Sequence, residues 1–141
     1  RRTVAVDMLF NTQKRRCVMS TPLTDPAYRD AARAVLGKDG VPVTALRDSP
    51  GFIAQRIVAM IVNIGVSIAQ QRTASPDDIN KAVKLGLGYP HGPLGFGDTL
   101  GPKTIQKILV SMQQRYGDQR YRPGLWLVRR AELGAPLTLQ D

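Results

Sequence analysis

The apolar segment from Phe52 to Ala69 constrains the fold of this chain more than any other feature. Five isoleucines recur in it at spacings of three and four residues, which places them on one helical face: Ile53, Ile57, Ile61, Ile64 and Ile68. Val58, Val62 and Val66 widen that face until the helix is apolar nearly all round. The pattern predicts a helix at the centre of a bundle, packed on several sides.

The same segment also carries three polar side chains, Gln55, Arg56 and Asn63. A helix that faced lipid would not hold them without a function, because polar side chains are expensive in the hydrocarbon core. We therefore interpret the segment as a buried helix of a globular domain, and we expect no membrane partner.

The residues before this segment predict a small α/β unit. Three stretches read as strands: residues 3–9, 16–20 and 41–46. Asp25 and Pro26 are typical of a helix start, since aspartate caps the first turn and proline lacks the donor that would go unpaired there. That helix is predicted to end at Leu36, before Gly37. The unit is too small to cover a sheet by itself and is similar to the tail of an α/β domain.

After the apolar segment, Ser75-Pro-Asp-Asp78 is a strong helix start, with a capping serine, an early proline and two acidic residues. The expected buried stripe is Ile79, Ala82, Val83 and Leu87. A further helix is predicted from Pro102 to Tyr116, with one apolar face: Ile105, Ile108, Leu109 and Met112. Pro123 opens the last helix, and the tail from Ala135 is expected to be loose.

The predicted fold class is mostly α: a helical bundle preceded by a small α/β segment. We divide the chain into an α/β segment at residues 1–47, a helical domain at 48–134 and a tail at 135–141.

The net charge of +9 is spread evenly, +4 over the first fifty residues and +5 over the rest. Such a surface is either simply solvated or attracts a phosphorylated ligand or a nucleic acid. No stacked-aromatic pattern, zinc spacing or known nucleic-acid module accompanies the charge, which disfavours a nucleic-acid partner. The single cysteine, Cys17, cannot form an internal disulfide, so a reducing, cytoplasmic location is expected.

The residues by themselves do not make a complete active site. Gly86 and Gly88 come nearest to a dinucleotide-binding turn, but they end a helix, where the backbone offers carbonyls and not donors. His91, the sole histidine, is interpreted as an exposed loop residue; as a general base it would need a carboxylate such as Asp98. Ser49 lacks a partnering base, and no set of metal ligands is present, so no metal is expected.

An uncommon combination of residues opens the apolar helix, Asp48-Ser-Pro-Gly-Phe-Ile-Ala-Gln-Arg56. It resembles the D-x-P-G-F-[IV]-x-N-R segment that begins the C-terminal helical domain of 3-hydroxyacyl-CoA dehydrogenases. The agreement continues in the same order at Ala74-Ser-Pro-Asp-Asp-Ile79, Lys84-Leu-Gly-Leu-Gly-Tyr-Pro-His-Gly-Pro93, Asp98, Gly101, Tyr116-Gly-Asp118 and Arg120-Tyr-Arg-Pro123. The resemblance covers residues 47–134, most of the chain.

The resemblance implies that the complete enzyme oxidises a 3-hydroxyacyl-CoA to the 3-oxoacyl-CoA with NAD, as in fatty-acid β-oxidation. A preceding Rossmann domain would hold NAD and supply a His–Glu catalytic pair, and His91 lies outside that histidine's motif. The helical domain would close the cleft over the acyl-CoA and form the interface of a homodimer. The chain would itself bind no cofactor and would be inactive alone.

Gln55 stands where the family has an asparagine that helps to polarise the substrate. Glutamine keeps the amide but moves it by one methylene, and a misplacement of about 1 Å can lower a rate about 100-fold. Either Gln55 still points at a substrate carbonyl, or the chain is a duplicated, non-catalytic copy. Some longer members resemble the second case, since a reduced Rossmann-like segment, which residues 1–47 resemble, precedes their second helical domain.

Two alternatives to a dehydrogenase domain remain open. The first is a stand-alone acyl-CoA-binding module with a residual substrate site at Gln55, Tyr89 and His91. The second is a basic, nucleic-acid-binding helical module, which would use the positive surface.

Overall fold

The structure is a computed structural model that describes residues 1–140. The chain forms two compact units, Arg1–Phe52 and Ile53–Asp141. The first unit contains a small sheet and one helix, and the second is built from α-helices. The predicted fold class, a helical bundle after a small α/β segment, is confirmed.

The first unit has three strands in chain order, β1 (Ala5–Val6), β2 (Arg16–Met19) and β3 (Val43–Leu46). β1 runs antiparallel to β2, and β2 runs parallel to β3, with helix α1 (Pro26–Leu36) as the crossover. Val18 of β2 is fully buried and forms the centre of this unit. All three predicted strands and the helix between them are therefore present.

The first strand is shorter than the predicted stretch, because the side chain of Asp7 turns the backbone. Its carboxylate accepts a hydrogen bond from the Leu9 N–H at 3.1 Å, a turn that aspartate forms readily two residues along the chain. The start of α1 is as predicted: Asp25 accepts from the Ala27 N–H at 2.9 Å, and Pro26 is the first helical residue.

The second unit contains five α-helices within the described residues: α2 (Ala54–Gln70), α3 (Pro76–Leu87), α4 (Pro93–Leu100), α5 (Pro102–Tyr116) and α6 (Leu125–Leu133). A 3-10 turn, Gln119–Tyr121, joins α5 to α6. α2 contacts all four other helices, so its predicted central place is confirmed. Of the apolar face predicted for α5, Ile105, Leu109 and Met112 are fully buried, and Ile108 is half-buried.

The isoleucines of α2 do not form the buried face that their spacing predicted. Ile53, Ile57 and Ile64 are 49%, 54% and 58% exposed, whereas the core side consists of small residues: Val58, Ala59, Val62, Gly65, Val66 and Ala69. Close packing against α4 explains why the side of α2 with small residues is the buried one. A Cβ added at Gly65 would lie 2.5 Å from the Cβ of Pro93, so α4 can approach only the side of α2 that carries small residues.

The predicted stripe of α3 is buried only in its first part. Pro76 and Ile79 are buried, but Leu87 is 66% exposed, Ala82 is exposed and Val83 is half-buried. The expectation of a continuous buried stripe was therefore wrong. The helix packs through its first turns, and its last turn carries apolar side chains with nothing packed over them within the unit.

α4 and the C-terminal segment differ most from the sequence analysis. α4 lies in a stretch for which no helix was predicted, because its glycines lower helix propensity while tertiary packing favours the helix. The expectation that the tail from Ala135 is loose was also wrong, since Leu137 is fully buried. A Cβ at Gly97 would lie 2.3 Å from Leu137 Cδ1 and 2.9 Å from Val62 Cγ1, so glycine makes room for the tail.

Candidate functional site

The turn that ends the first unit has an uncommon backbone conformation. Phe52 donates its N–H to the Ser49 carbonyl at 3.1 Å, and Gly51 and Phe52 both have positive φ, 84° and 47°. A positive φ is easy for glycine but costs on the order of 1 kcal/mol or more for a residue with a side chain. Strain of this kind collects at functional positions, and the first turn of α2, with Gln55, follows directly.

Gln55 lies in that first turn, and its side chain is half-buried. A side-chain amide in this position can donate a hydrogen bond to an acyl carbonyl, which is the role that the sequence analysis assigned to it. The next residue, Arg56, donates to the Tyr116 hydroxyl, and its guanidinium lies 4.8 Å above the Tyr116 ring. This contact fastens the end of α5 to the start of α2.

Asn80 of α3 organises the loop that carries Tyr89 and His91. Its Oδ1 accepts from the backbone N–H groups of Leu94 at 3.0 Å and Gly95 at 3.2 Å, so it caps α4 from a different helix. Asn80 was not among the predicted site residues, because an asparagine in mid-helix gives no sign of capping another helix.

The two substrate-binding candidates in this loop differ in exposure. Tyr89 is half-buried and His91 is exposed. The imidazole of His91 lies edge-on against the Phe96 ring, with centroids 5.2 Å apart. Asp98 does not orient it, because the Asp98 carboxylate accepts from Leu137 and Thr138 instead. His91 therefore lacks that partner for general-base chemistry.

Gln55 and Pro93, a residue that follows the Tyr89–His91 loop, lie at different levels of α2. Pro93, two residues after His91, packs on Gly65. Gly65 lies ten residues beyond Gln55, which is about 15 Å along the helix axis. Two residues of extended chain span about 7 Å, so the backbone of His91 lies at least about 8 Å from the level of Gln55 along the helix axis. The backbones of Gln55 and His91 are thus separated along α2.

Two turns, the end of α3 at Gly88 and the β2–α1 connection at Asp25, do not fit a dinucleotide. Gly88 ends α3 with φ 67°, and its N–H is already donated to the Lys84 carbonyl at 3.0 Å. At the β2–α1 turn, the carboxylate of Asp25 occupies the helix N-terminus, where a pyrophosphate would be repelled.

Within residues 1–140, no three His, Cys, Asp or Glu side chains lie together as potential metal ligands. No helix in the described range combines the length and the apolar character that crossing a bilayer requires.

Residues 51–137 match the profile of the 3-hydroxyacyl-CoA dehydrogenase C-terminal domain. The chain belongs to this family. The resemblance inferred from the Asp48–Arg56 segment and the later motifs is thereby confirmed, and the nucleic-acid-binding alternative is not favoured.

The similar proteins with this domain are named as dehydrogenases of CoA thioesters. The 3-hydroxyadipyl-CoA dehydrogenase of Escherichia coli K12 is 42% identical over 98 residues, which are 70% of this chain and 21% of that enzyme. The 3-hydroxybutyryl-CoA dehydrogenase of Bradyrhizobium diazoefficiens is 32% identical over 111 residues, 79% of this chain and 38% of the enzyme. The chain therefore matches well under half the length of these relatives.

Solved structures of the same dehydrogenase family share the fold. A 3-hydroxybutyryl-CoA dehydrogenase from E. coli K12 has a TM-score of 0.82 and 35% identity, over 92% of this chain and 27% of that one. The (S)-3-hydroxybutyryl-CoA dehydrogenase of Ralstonia eutropha has a TM-score of 0.88 at 22% identity, over 98% of this chain and 52% of that one. Coverage this complete extends the shared fold beyond the helical unit to the small α/β unit.

Proposed function

We propose that this chain is the C-terminal part of an NAD-dependent dehydrogenase that oxidises 3-hydroxyacyl-CoA to 3-oxoacyl-CoA in fatty-acid β-oxidation. The family match at residues 51–137 and the 42% identity to an enzyme of a 3-hydroxyacyl-CoA support this activity for the complete protein. A domain outside this chain binds NAD, and the complete protein is cytoplasmic. The helical unit closes the acyl-CoA cleft and forms a homodimer.

The exposed isoleucines at the start and along one side of α2 are the main observation that supports the proposed homodimer. Ile53, Ile57 and Ile64 are each about half exposed on one side of a helix whose other side fills the core. Large apolar side chains grouped in this way are typical of a protein interface, and twofold pairing of one helix face with itself is the commonest arrangement. A stable interface buries about 800 Å² on each partner, so neighbouring side chains of the unit would take part.

Sedimentation velocity tests this interface. The unaltered chain is expected to be a dimer at micromolar concentration, and Ile57→Lys combined with Ile64→Lys is expected to make it a monomer. Leu85→Lys is the matched control, because Leu85 is 86% exposed on a different helix. A chain that stays monomeric to about 100 micromolar, or a Leu85→Lys variant that dissociates equally, would refute the role.

We further propose that the chain is the second, non-catalytic helical copy of a long family member. In the E. coli relative, 98 residues are 21% of the length, so that enzyme has about 470 residues. In the Bradyrhizobium relative, 111 residues are 38%, or about 290 residues in all. The relative with higher identity is thus the one with room for two helical domains. The longer amide of Gln55 also fits a lost catalytic role.

Substitution of Gln55 in the complete enzyme tests whether this helical copy is non-catalytic. Gln55→Ala is expected to leave kcat/KM unchanged within about twofold, because no transition-state contact is lost. A loss of 100-fold or more, restored by Gln55→Asn, would show instead that Gln55 donates to the substrate. Calorimetry of the isolated chain with acetoacetyl-CoA completes the test, since heat that depends on Gln55 supports a residual acyl-CoA site there.

A further inference from the structure

A cavity of about 430 Å³ opens on the helical unit at the start of α5. Its walls come from the first residues of α5, the last turn of α6 and the segment that follows α6. Small-molecule sites occupy about 300–1,000 Å³, so this volume suffices for a small ligand. Lys103 of the cavity lies thirteen residues before Tyr116, about 20 Å along α5 from the end that contacts Arg56. The cavity is therefore at the opposite end of α5 from the first turn of α2.

Two cationic side chains border the cavity, and the protein holds them differently. Arg130 is only 9% exposed: its guanidinium lies 3.2 Å above the centre of the Trp126 ring and donates to the Leu139 carbonyl at 2.8 Å. Because a guanidinium carries five N–H donors in a planar fork, one fixed by stacking loses little freedom when it binds an anion. Lys103 is exposed, and no carboxylate within residues 1–140 forms an ion pair with it.

The charge of the cavity is positive but small. Asp98 is the only acidic side chain among its described lining residues, and the Asp98 oxygens accept from Leu137 and Thr138. The side chains therefore leave a surplus of one positive charge. The termini of α4 and α5 meet at Gly101 and largely cancel, while the end of α6 at Gly134 adds about half a negative charge. Such a balance favours a single negative charge over two.

The remaining side chains of the wall are small and apolar: Pro102, Ala131, Ala135 and Pro136. None of these described lining residues offers an aromatic ring on which a planar ligand could stack. The wall therefore suits an aliphatic group, which gains by leaving water wherever it meets an apolar surface.

We propose that this cavity binds a small aliphatic monocarboxylate. Its carboxylate lies between Arg130 and Lys103, and its chain packs against Ala131, Ala135 and Pro136. The planar fork of arginine matches a carboxylate, which it can bind through two parallel hydrogen bonds, and lysine adds a second positive charge. The proposal is independent of the acyl-CoA function, because the cavity shares no residue with the Gln55, Tyr89 and His91 candidates.

Calorimetry on the intact 141-residue chain tests the proposed ligand class with four probes: hexanoate, 1-hexanol, hexylamine and inorganic phosphate. Hexanoate is expected to bind with a Kd of about 1 mM or tighter, an ordinary affinity for eight heavy atoms. The other three should bind at least tenfold more weakly, since each lacks either the single negative charge or the apolar chain. Equal affinity for any of them, or no heat with hexanoate up to about 20 mM, would overturn the proposal.

Substitutions at the cavity test the two cations. Lys103→Gln should weaken hexanoate binding about two- to fivefold, the range of exposed charge pairs. Lys107→Gln is the matched control, because Lys107 is also exposed and lies one turn further along α5, outside the cavity lining. Arg130→Lys keeps the charge but loses the planar fork, and a loss of at least fivefold is expected. Lys103→Gln decides alone if the lysine variant at position 130 does not fold; no loss there, or an equal loss in Lys107→Gln, contradicts the site.

Amide NMR locates the bound hexanoate directly. The resonances of Lys103, Ala131 and Ala135 should move on titration, while those of Gln55 and Tyr89 stay in place. Shifts confined to Gln55 and Tyr89 would show that hexanoate occupies the acyl-CoA candidate site instead, which refutes the cavity and leaves the acyl-CoA function standing. Shifts at the cavity, together with no heat from acetoacetyl-CoA, would support the carboxylate site and count against the acyl-CoA site.

Discussion

Asp98 holds the backbone of Leu137, thirty-nine residues away in the chain. Its Oδ1 accepts from the Leu137 N–H at 2.5 Å, and its Oδ2 accepts from the N–H and the hydroxyl of Thr138 at 3.1 and 2.7 Å. The indole of Trp126 donates to the Leu137 carbonyl at 3.1 Å, and Arg130 donates to the Leu139 carbonyl at 2.8 Å. The C-terminal segment is thus clasped on both sides, with the Leu137 side chain in the core.

Removing this carboxylate should destabilise the helical unit. Asp98→Ala leaves three donors of the segment without their acceptor and is expected to lower the free energy of unfolding by about 2–4 kcal/mol. Thr138→Val removes only the hydroxyl bond and should lower it by about 1 kcal/mol. Urea unfolding measures both values. Equal stability of the Asp98→Ala variant and the unaltered chain would show that the clasp contributes nothing.

Asn80 should act as a cap for α4 and not only as part of α3. Asn80→Ala leaves the Leu94 and Gly95 N–H groups without their acceptor and is expected to cost about 1–2 kcal/mol. Asn80→Asp keeps an oxygen in the same place and should retain most of the stability. Hydrogen exchange of these two amides should accelerate in the alanine variant alone. An aspartate variant as unstable as the alanine variant would argue against capping.

Two glycine-to-alanine changes should have opposite signs. A Cβ at Gly65 would lie 2.5 Å from Pro93 Cβ, so Gly65→Ala must push α4 away and is expected to destabilise by about 1–3 kcal/mol. Gly86 lies within α3 with no atom within 4 Å of an added Cβ, so Gly86→Ala should stabilise by about 0.5–1 kcal/mol. Thermal unfolding compares the two. A stabilising Gly65→Ala would contradict the close helix approach.

Arg16 controls the titration of Asp39 in the small α/β unit. Its guanidinium donates to both carboxylate oxygens of Asp39 at 2.7 Å, and this hydrogen bonding lowers the pKa of Asp39 to about 2. Because the pKa in the unfolded chain is about 3.9, the pair contributes stability above that pH and loses it as the pH falls through about 2. In Arg16→Gln, the pKa should return towards its usual value, which carboxyl NMR titration measures. An unchanged low pKa would mean that another group holds the carboxylate.

The starts of α1 and α3 were readable from the sequence because their causes are local. Asp25 caps α1, and Ser75 caps α3 by accepting from the Asp78 N–H at 3.1 Å, in both cases within three residues of the cap. The Asp48–Arg56 segment likewise identified the family from consecutive residues. Such features depend on neighbours in the chain, so one sequence suffices to predict them.

The remaining features depend on the tertiary structure. Asn80 meets Leu94 and Asp98 meets Leu137 only after the helices have packed, so nothing near Asn80 or Asp98 in sequence announces either contact. The apolar pattern of α2 predicted a helix but not which side would be buried. Gly65 determines which side of α2 is buried, because two helices approach most closely where the side chains are smallest. The isoleucines were therefore left half exposed on the other side, where a partner can cover them.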